Sequence, residues 1–372
     1  MPSTAQPIHT VIGGAHLFRH DVAAKLGRLA LAAFETHGHL LPCSPEIRER
    51  VKAKLEATPV EDYRIDFEDG YGVRQAQEEN AHAVAAALEM VRGMKEGTLP
   101  LFCGVRPRPF AGHTRGRSLE TLRRFFDTLT SGSGGRIPEN FTVSLPKVSR
   151  PEEVHAFFTA LSVLGADIPI EIMIETPAAL RNIGDLMEAA RGRCRAVCFG
   201  PYDFTSACGI PSVAQGLRHP LCHYARSHMA VALAQSGVWL VDGPTSVLPI
   251  GDALESAWQT QWEDIRNALS TGFFQGWDLH PAQLPLRYAA VFTYFQESLP
   301  AAASRMKNFL EQSAQATRVG GFFDDAATAL GLRNFFMRAV GCGAITEAEL
   351  QANHGLNLAA MNFDALPSAQ AK

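Results

Sequence analysis

The sequence has no apolar run approaching the roughly 18 residues of a membrane-spanning helix, and its opening stretch, "MPSTAQPIHTVIGG", has no basic segment leading into a long apolar one. An extended Lys/Arg tract is also missing. With 34 basic against 38 acidic residues and a net charge of −4, the chain lacks the electrostatic footprint that phosphate-backbone binding needs. Nucleic acid and membrane are therefore excluded as partners, and a cytoplasmic location is expected. The seven cysteines (Cys43, Cys103, Cys194, Cys198, Cys208, Cys222, Cys342) are odd in number and scattered, with no C-x-x-C pair. That argues against both a disulfide framework and a zinc site, and they read as reduced thiols. No Gly-rich phosphate turn follows a strand: "VIGGAHLF" is not G-x-G-x-x-G, and the glycines of "TSGSGGRIPEN", Thr130 to Asn140, follow a helix.

What the chain does have is alternation. Short β-branched or aromatic runs begin at His9 ("HTVIGGA"), Arg64 ("RIDFED"), Leu101 ("LFCGVR"), Phe141 ("FTVSLPK"), Pro169 ("PIEIMIE"), Ala196 ("AVCFG"), Val238 ("VWLVD") and Gly272 ("GFFQGWDL"). Amphipathic segments lie between them: Asp21 to His37, Pro45 to Ala57, Ala76 to Lys95, Leu119 to Leu129, Pro151 to Leu164, Ala178 to Ala190, His219 to Gln235 and Asp252 to Ser270. Hydroxyl caps before a first-turn proline are expected at Ser44 and Ser149. Eight strand-then-helix units fit an α/β fold, a (β/α)8 TIM barrel over residues 1–290, better than an open doubly wound sheet. From 291 to 372 the pattern is helical throughout, a C-terminal extension expected to act as a lid or an oligomer contact, with the segment from Asn357 on loosely held.

Barrels keep their chemistry at the C-terminal ends of the strands. The ionisable residues there are Glu68 and Asp69, Arg106, Lys147, Glu175, Asp203, Asp242, and Asp278 with His280. One such residue is ordinarily a solvated strand terminus; a set falling at the same end of eight successive strands points to a site. Asp66, Glu68 and Asp69 crowd one strand end, and carboxylates so placed repel one another unless a cation or basic partners offset them. Oxygen ligands without a Cys/His cluster favour Mg2+ or Mn2+ over zinc.

Six motifs occur in order: "DFEDG" at Asp66 to Gly70, "GVRPR" at Gly104 to Arg108, "LPKV" at Leu145 to Val148, "IMIETPAAL" at Ile172 to Leu180, "CFGPYDF" at Cys198 to Phe204, and "GWDLHPAQ" at Gly276 to Gln283. Together they resemble the strand-end motifs of the HpcH/HpaI aldolase and citrate lyase β-subunit superfamily of phosphoenolpyruvate/pyruvate-binding barrels. The longer forms "EDYRIDFEDGYG" and "GFFQGWDLHPAQLP" look closer to a branch of citrate-lyase-like aldolases than to the citrate lyase subunits themselves. The resemblance implies Mg2+ (or Mn2+) on Glu175 and Asp203, Arg106 on a substrate carboxylate or carbonyl oxygen, and Glu68 and Asp69 beside the metal's water shell. It also places Gly200 and Tyr202 beside a bound pyruvate-like group. The implied reaction is carbon–carbon cleavage of a 2-oxo acid or related small carboxylate through a stabilised enolate, in a homo-oligomer.

The chain departs from the family's R-x-N pattern with Arg106-Pro107-Arg108. Arg108 then either reaches a second substrate carboxylate or faces solvent. Lys147 pairs with the acidic cluster, and a Schiff-base role for it is the alternative. His280 is a secondary candidate for the base, against the plainer reading of a hydrogen-bonded structural histidine. Two other functions stay open: an acyl-CoA lyase of the citrate or malyl type, and a non-catalytic ligand-binding barrel.

Overall fold

The computed structural model describes residues 6–165, 167–319 and 326–361. Eight parallel strands close into a barrel in sequence order: β1 (His9–Gly14), β2 (Asp62–Asp66), β3 (Phe102–Arg106), β4 (Phe141–Leu145), β5 (Ile170–Ile174), β6 (Cys194–Phe199), β7 (Trp239–Pro244) and β8 (Gln275–Asp278). β1 closes the ring by pairing with β2 on one side and β8 on the other. The helices are α1 (Val22–His37), α2 (Pro45–Ala57), α3 (Ala76–Glu96), α4 (Arg115–Ser133), α5 (Pro151–Val163), α6 (Pro177–Arg181), α7 (Ile183–Ala189), α8 (Pro201–Ala207), α9 (Pro220–Ala232), α10 (Leu254–Ser270), α11 (Leu284–Val319), α12 (Ala326–Gly341) and α13 (Glu347–His354). The α/β (β/α)8 TIM barrel with its C-terminal helices is thus the observed fold. The segment expected as one helix from Ala178 is two, broken at Asn182, and the short α8 after "GP" carries no periodic signal of its own.

Strand parity decides what each side chain meets. On β2 Tyr63 and Ile65, and just past its end Phe67, face the helices and join the main core. Asp62, Arg64 and Asp66 alternate with them and point into the barrel. The lower interior is polar: Arg64 pairs with Asp62, Thr10 donates to Asp62 at 2.9 Å, Gln275 donates to Thr10 at 2.8 Å, and Ser144 donates to Glu171 at 2.6 Å. Gly104 makes room for this layer, since a Cβ there would lie 1.9 Å from the Thr142 carbonyl and 3.0 Å from Arg64 Cδ.

Ser44 caps α2 as expected, accepting from the Ile47 amide. Ser149 does not cap α5. Its hydroxyl meets Thr176, and the Glu153 carboxylate instead accepts from the amides of Ser149 and Arg150.

The boundary placed at residue 290 falls inside α11, whose first part packs beside α10 and α1 as the eighth barrel helix. α12 lies against the N-terminal strand ends: Arg338 binds Gln6 and sits over the Phe274 ring, and Phe335 packs on Phe295. α13 is tied to α2 by Arg50 and Glu349 at 2.6 Å. Among the described residues, these C-terminal helices pack at the end of their own barrel opposite its mouth. Residues 320–325 and 362–372, part of that extension, lie outside the described residues. No described helix is long and apolar enough to cross a membrane.

Candidate active site at the barrel mouth

A cavity of about 280 Å³ opens at the C-terminal end of the strands. Arg106, at the end of β3, forms its floor and is 1% exposed. Its Nε and Nη2 each donate at 2.7 Å to the two oxygens of Asp66, a fork-on-fork pair that fixes the guanidinium plane. The Asp66 oxygens also accept from the amides of Glu68 (3.0 Å) and Gly70 (2.7 Å), so one carboxylate orders both the arginine and the "EDG" turn. The remaining Nη1 meets only the Glu68 carboxylate at 3.5 Å and the Met173 sulfur at 3.9 Å. Trp277 stacks over the guanidinium, 5.1 Å from ring centre to Cζ. Burial disfavours the charge on Arg106, but Asp66 outweighs it and holds the pKa above its ordinary value.

Lys147 follows β4 with a left-handed backbone (φ 52°), rare for a non-glycine residue and characteristic of strained functional loops. That turn aims its amide at Glu175 Oε2 (2.6 Å) and its ammonium at Glu68 (2.6 Å), Asp69 (2.8 Å) and Asp203 (3.4 Å). Burial works against this charge, yet hydrogen bonds to Asp69 and Glu68 raise its pKa above the ordinary lysine value. Such a lysine is a locked cation. The Schiff-base alternative would need a neutral amine, which this setting opposes.

Glu175 directly follows β5 and is buried. Burial pushes its pKa to about 7; Arg106 opposes the shift, and Glu68 and Asp203 add to it. Its close packing requires glycine at 200, where a Cβ would fall 2.4 Å from Glu175 Cγ. The Gly200 amide is spent on the Ile174 carbonyl and Pro201 has none, so the amides of Tyr202 and Asp203 are the first of α8 without a partner inside the helix. The Tyr202 hydroxyl donates to the Pro244 carbonyl and accepts from the Ser246 amide, both at 3.0 Å, pinning the loop after β7. Burial raises the Glu68 pKa against the pull of Arg106 and Lys147. For Asp69, burial acts upward but hydrogen bonds from Lys147 and Glu68 prevail and lower it.

The structure therefore brings together Arg106, Glu68, Asp69, Lys147, Glu175, Gly200, Tyr202 and Asp203. Arg108 goes elsewhere: its Nε donates to Glu79 on α3 at 2.8 Å and its Nη2 to the Gly72 carbonyl at 3.1 Å. His280 also lies apart, its Nδ1 accepting from the Ala282 amide to cap the turn Pro281–Gln283, while burial lowers its pKa. Two strand-end carboxylates have the wrong parity for the mouth. Asp242 faces α9, pairing with buried Arg226 at 2.7 Å, and Asp278 faces α11, pairing with Arg287 at 2.9 Å. Sequence reading counted Asp66 only as one of a crowded acidic trio and missed Trp277, Ile12 and Leu279, which line the cavity. The inward parity of Asp66 with Arg64 and Asp62 is the signal that could have found it.

As a class, the chain is a (β/α)8 barrel. Its fold is similar to that of a citrate lyase from Burkholderia xenovorans LB400, with a TM-score of 0.59 and 19% identity over 92% of this chain and 93% of that one. It is similar also to CitE from Mycobacterium tuberculosis in complex with magnesium, acetoacetate and coenzyme A, with a TM-score of 0.51 and 18% identity over 90% of this chain and 98% of the other. At these identities what is shared is the fold. More particularly, the chain belongs to the family described as Domain of unknown function (DUF6986), whose family model matches residues 2–368. No curated protein matches the sequence.

Proposed function

We propose that the protein is a Mg2+- or Mn2+-dependent carbon–carbon lyase that cleaves a 2-oxo acid or related small carboxylate through an enolate. The observation that carries this reading is Arg106, a buried guanidinium immobilised by Asp66 with its third nitrogen short of good acceptors, set in one cavity with Glu175 and Asp203.

The donor set suits a hard divalent ion. Glu175 spends Oε2 on the Lys147 amide, and among the described residues no donor takes its Oε1; Asp203 has only the longer contact to Lys147. No three Asp, Glu, His or Cys side chains group into a self-sufficient metal site among the described residues. Two carboxylates, with water and substrate oxygens completing the shell, is a usual arrangement for Mg2+. Bound there, the ion would serve as a Lewis acid that draws developing negative charge onto oxygen.

The chain's own groups do the rest. Arg106 Nη1 receives a substrate carboxylate or carbonyl oxygen, and because Asp66 already holds the guanidinium, little reorganisation accompanies the developing charge. The Tyr202 and Asp203 amides, without partners inside α8, would receive the other carboxylate oxygen. Glu68, with its raised pKa, accepts and returns a proton at the reacting end, while Lys147 keeps Asp69 ionised beside it.

Calorimetric Mg2+ titration of the wild type, Glu175→Ala and Asp203→Ala, paired with a screen of 4-hydroxy-2-oxo acids and acyl thioesters with Mg2+ and with chelator, tests the proposal. Both variants should stay folded, lose metal binding and lose turnover. Wild-type metal affinity in Glu175→Ala, or no chelator-sensitive cleavage of any compound, would overturn it.

A further inference from the structure

The four fully buried arginines of the scaffold are each met by a carboxylate: Arg64 by Asp62, Arg106 by Asp66, Arg226 by Asp242 and Arg287 by Asp278. Arg338, half-buried on α12, is not. It lines a second cavity, of about 370 Å³, enclosed by α12, α11 and the N-terminal ends of β1, β7 and β8, at the end of the barrel opposite the mouth. Its Nη1 donates to Gln6 Oε1, and its guanidinium lies 4.9 Å from the centre of the Phe274 ring. Among the described residues no acceptor takes its Nε or Nη2, and no carboxylate pairs with its charge. Burial lowers its pKa, and the Cys342 thiol is a weak counterweight because burial keeps that thiol protonated. The cavity wall is mainly hydrocarbon and aromatic, built by Ile8, Trp239, Phe274, Val291, Phe295 and Leu358. Glu347, the carboxylate that borders it, stands exposed at the start of α13 and forms no ion pair with Arg338.

We propose that this cavity binds a monocarboxylate with a medium-length aliphatic body, its carboxylate on Nε and Nη2 of Arg338 and its hydrocarbon against the apolar wall. Nε and Nη2 form the edge with which Arg106 grips Asp66, a geometry that matches two carboxylate oxygens. Gln6 sets the plane of the arginine in advance. Its Nε2 donates to the Leu240 carbonyl at 3.0 Å and to Gln275 Oε1 at 3.1 Å, which leaves Oε1 facing Arg338. A carboxylate supplies the missing counter-ion, and the aliphatic body displaces water from the wall. The volume falls within the range of small-ligand sites, roughly 300–1,000 Å³. A hydrophilic anion of higher charge would gain nothing from Trp239, Phe274 and Phe295. Once bound, the ligand clamps α12 through Arg338 and Gln6 to β7 and β8, so it stabilises the C-terminal helices on the barrel. The site lies away from the barrel mouth, and the inference does not rest on the lyase reading.

The test titrates octanoate and 1-octanol, which share a hydrocarbon body but not a charge, into the full-length protein by calorimetry. The proteins are the wild type, Arg338→Met, which keeps an apolar stem on α12 but removes the charge, and Met337→Trp. Met337 borders the cavity and is 47% exposed, so an indole there narrows the cavity without altering the arginine or the packed core. The wild type should bind octanoate about tenfold or more tighter than octanol, the scale of charge-assisted hydrogen bonds to a carboxylate. Arg338→Met should abolish that preference while still binding octanol, and Met337→Trp should weaken both ligands. Octanoate should also raise the melting midpoint of the wild type and of neither variant. If Arg338→Met does not fold, Met337→Trp alone decides. The inference is overturned if octanoate does not bind the wild type, if octanol binds as tightly, or if octanoate binding is unchanged in either variant.

Discussion

Asp66→Asn changes one atom at the point where the site is tied together, and its consequence can be worked from the contacts. Asp66 accepts four hydrogen bonds: Arg106 Nε and the Glu68 amide on Oδ1, Arg106 Nη2 and the Gly70 amide on Oδ2. An asparagine oxygen keeps the pair on one side only. On the other, its NH2 faces two further donors in a region where both side chains are 0–1% exposed. Two hydrogen bonds involving charged groups are lost, each worth about 1.5–3 kcal/mol, and a buried guanidinium loses its principal counter-ion, so the expected destabilisation is about 3–5 kcal/mol. Chemical denaturation followed by two probes reads the loss from the midpoint at constant slope. The control is Asp69→Asn: Asp69 belongs to the same turn, but its side chain is 62% exposed, and it should cost less than about 1 kcal/mol. A loss from Asp66→Asn of less than about 1 kcal/mol would refute the view that this carboxylate anchors the arginine.

Arg106→Lys replaces a planar fork with a point charge that cannot satisfy both Asp66 oxygens and still reach substrate; kcat/KM on an identified substrate should fall by roughly 10²–10³, as for removal of a key electrostatic donor. Wild-type kinetics would show that Arg106 does not touch the substrate. In the barrel interior, burial raises Asp62 from its ordinary 3.8 to about 6, opposed by Arg64 and aided by Glu171. The folded state then holds a proton that the unfolded state has released, so this residue's contribution to stability is full below pH 3.8 and is lost as pH rises through about 6, by up to about 3 kcal/mol. Subtracting the stability-versus-pH curve of Asp62→Asn from that of the wild type should expose the slope, and a flat difference between pH 4 and 6 would reject it.

Most of the architecture was legible because barrel strands and their helices carry distinct periods, and all eight strands fall where β-branched and aromatic runs predict them. What was not legible was hidden for identifiable reasons. The C-terminal helices carry an apolar excess that suggested a lid or an oligomer contact, but an apolar face does not say which surface it covers. Here Phe335, Phe336 and Ala339 pack under the barrel's N-terminal end. His280 sits one turn from the mouth in sequence, yet a histidine before Pro281 has the backbone geometry of a cap and serves as one. Arg108 could not be assigned because a proline between two arginines leaves the direction of the second undetermined until α3 supplies Glu79.

Asp242 and Asp278 are the instructive pair, since their position at strand ends was read without their parity. On β7, Val241 packs with Met173 and Cys198 inside the barrel, so Asp242 must point outward; on β8, inward Trp277 sends Asp278 outward in the same way. Both carboxylates serve as counter-ions for arginines on the surrounding helices, and their chemistry is that of the scaffold. This distinction yields opposite outcomes for two carboxylate deletions at adjacent heights of one barrel. Asp242→Asn weakens the hold on Arg226, which is fully buried and otherwise bound to the Leu217 carbonyl and Asn267, and should lower stability by about 2–4 kcal/mol while leaving Mg2+ affinity unchanged. Glu175→Ala removes a carboxylate that burial already penalises, and should abolish Mg2+ binding with little loss of stability. Paired melting and calorimetric titration of the two variants decides the matter, and a metal defect in Asp242→Asn with intact stability would show that parity had been assigned wrongly at β7.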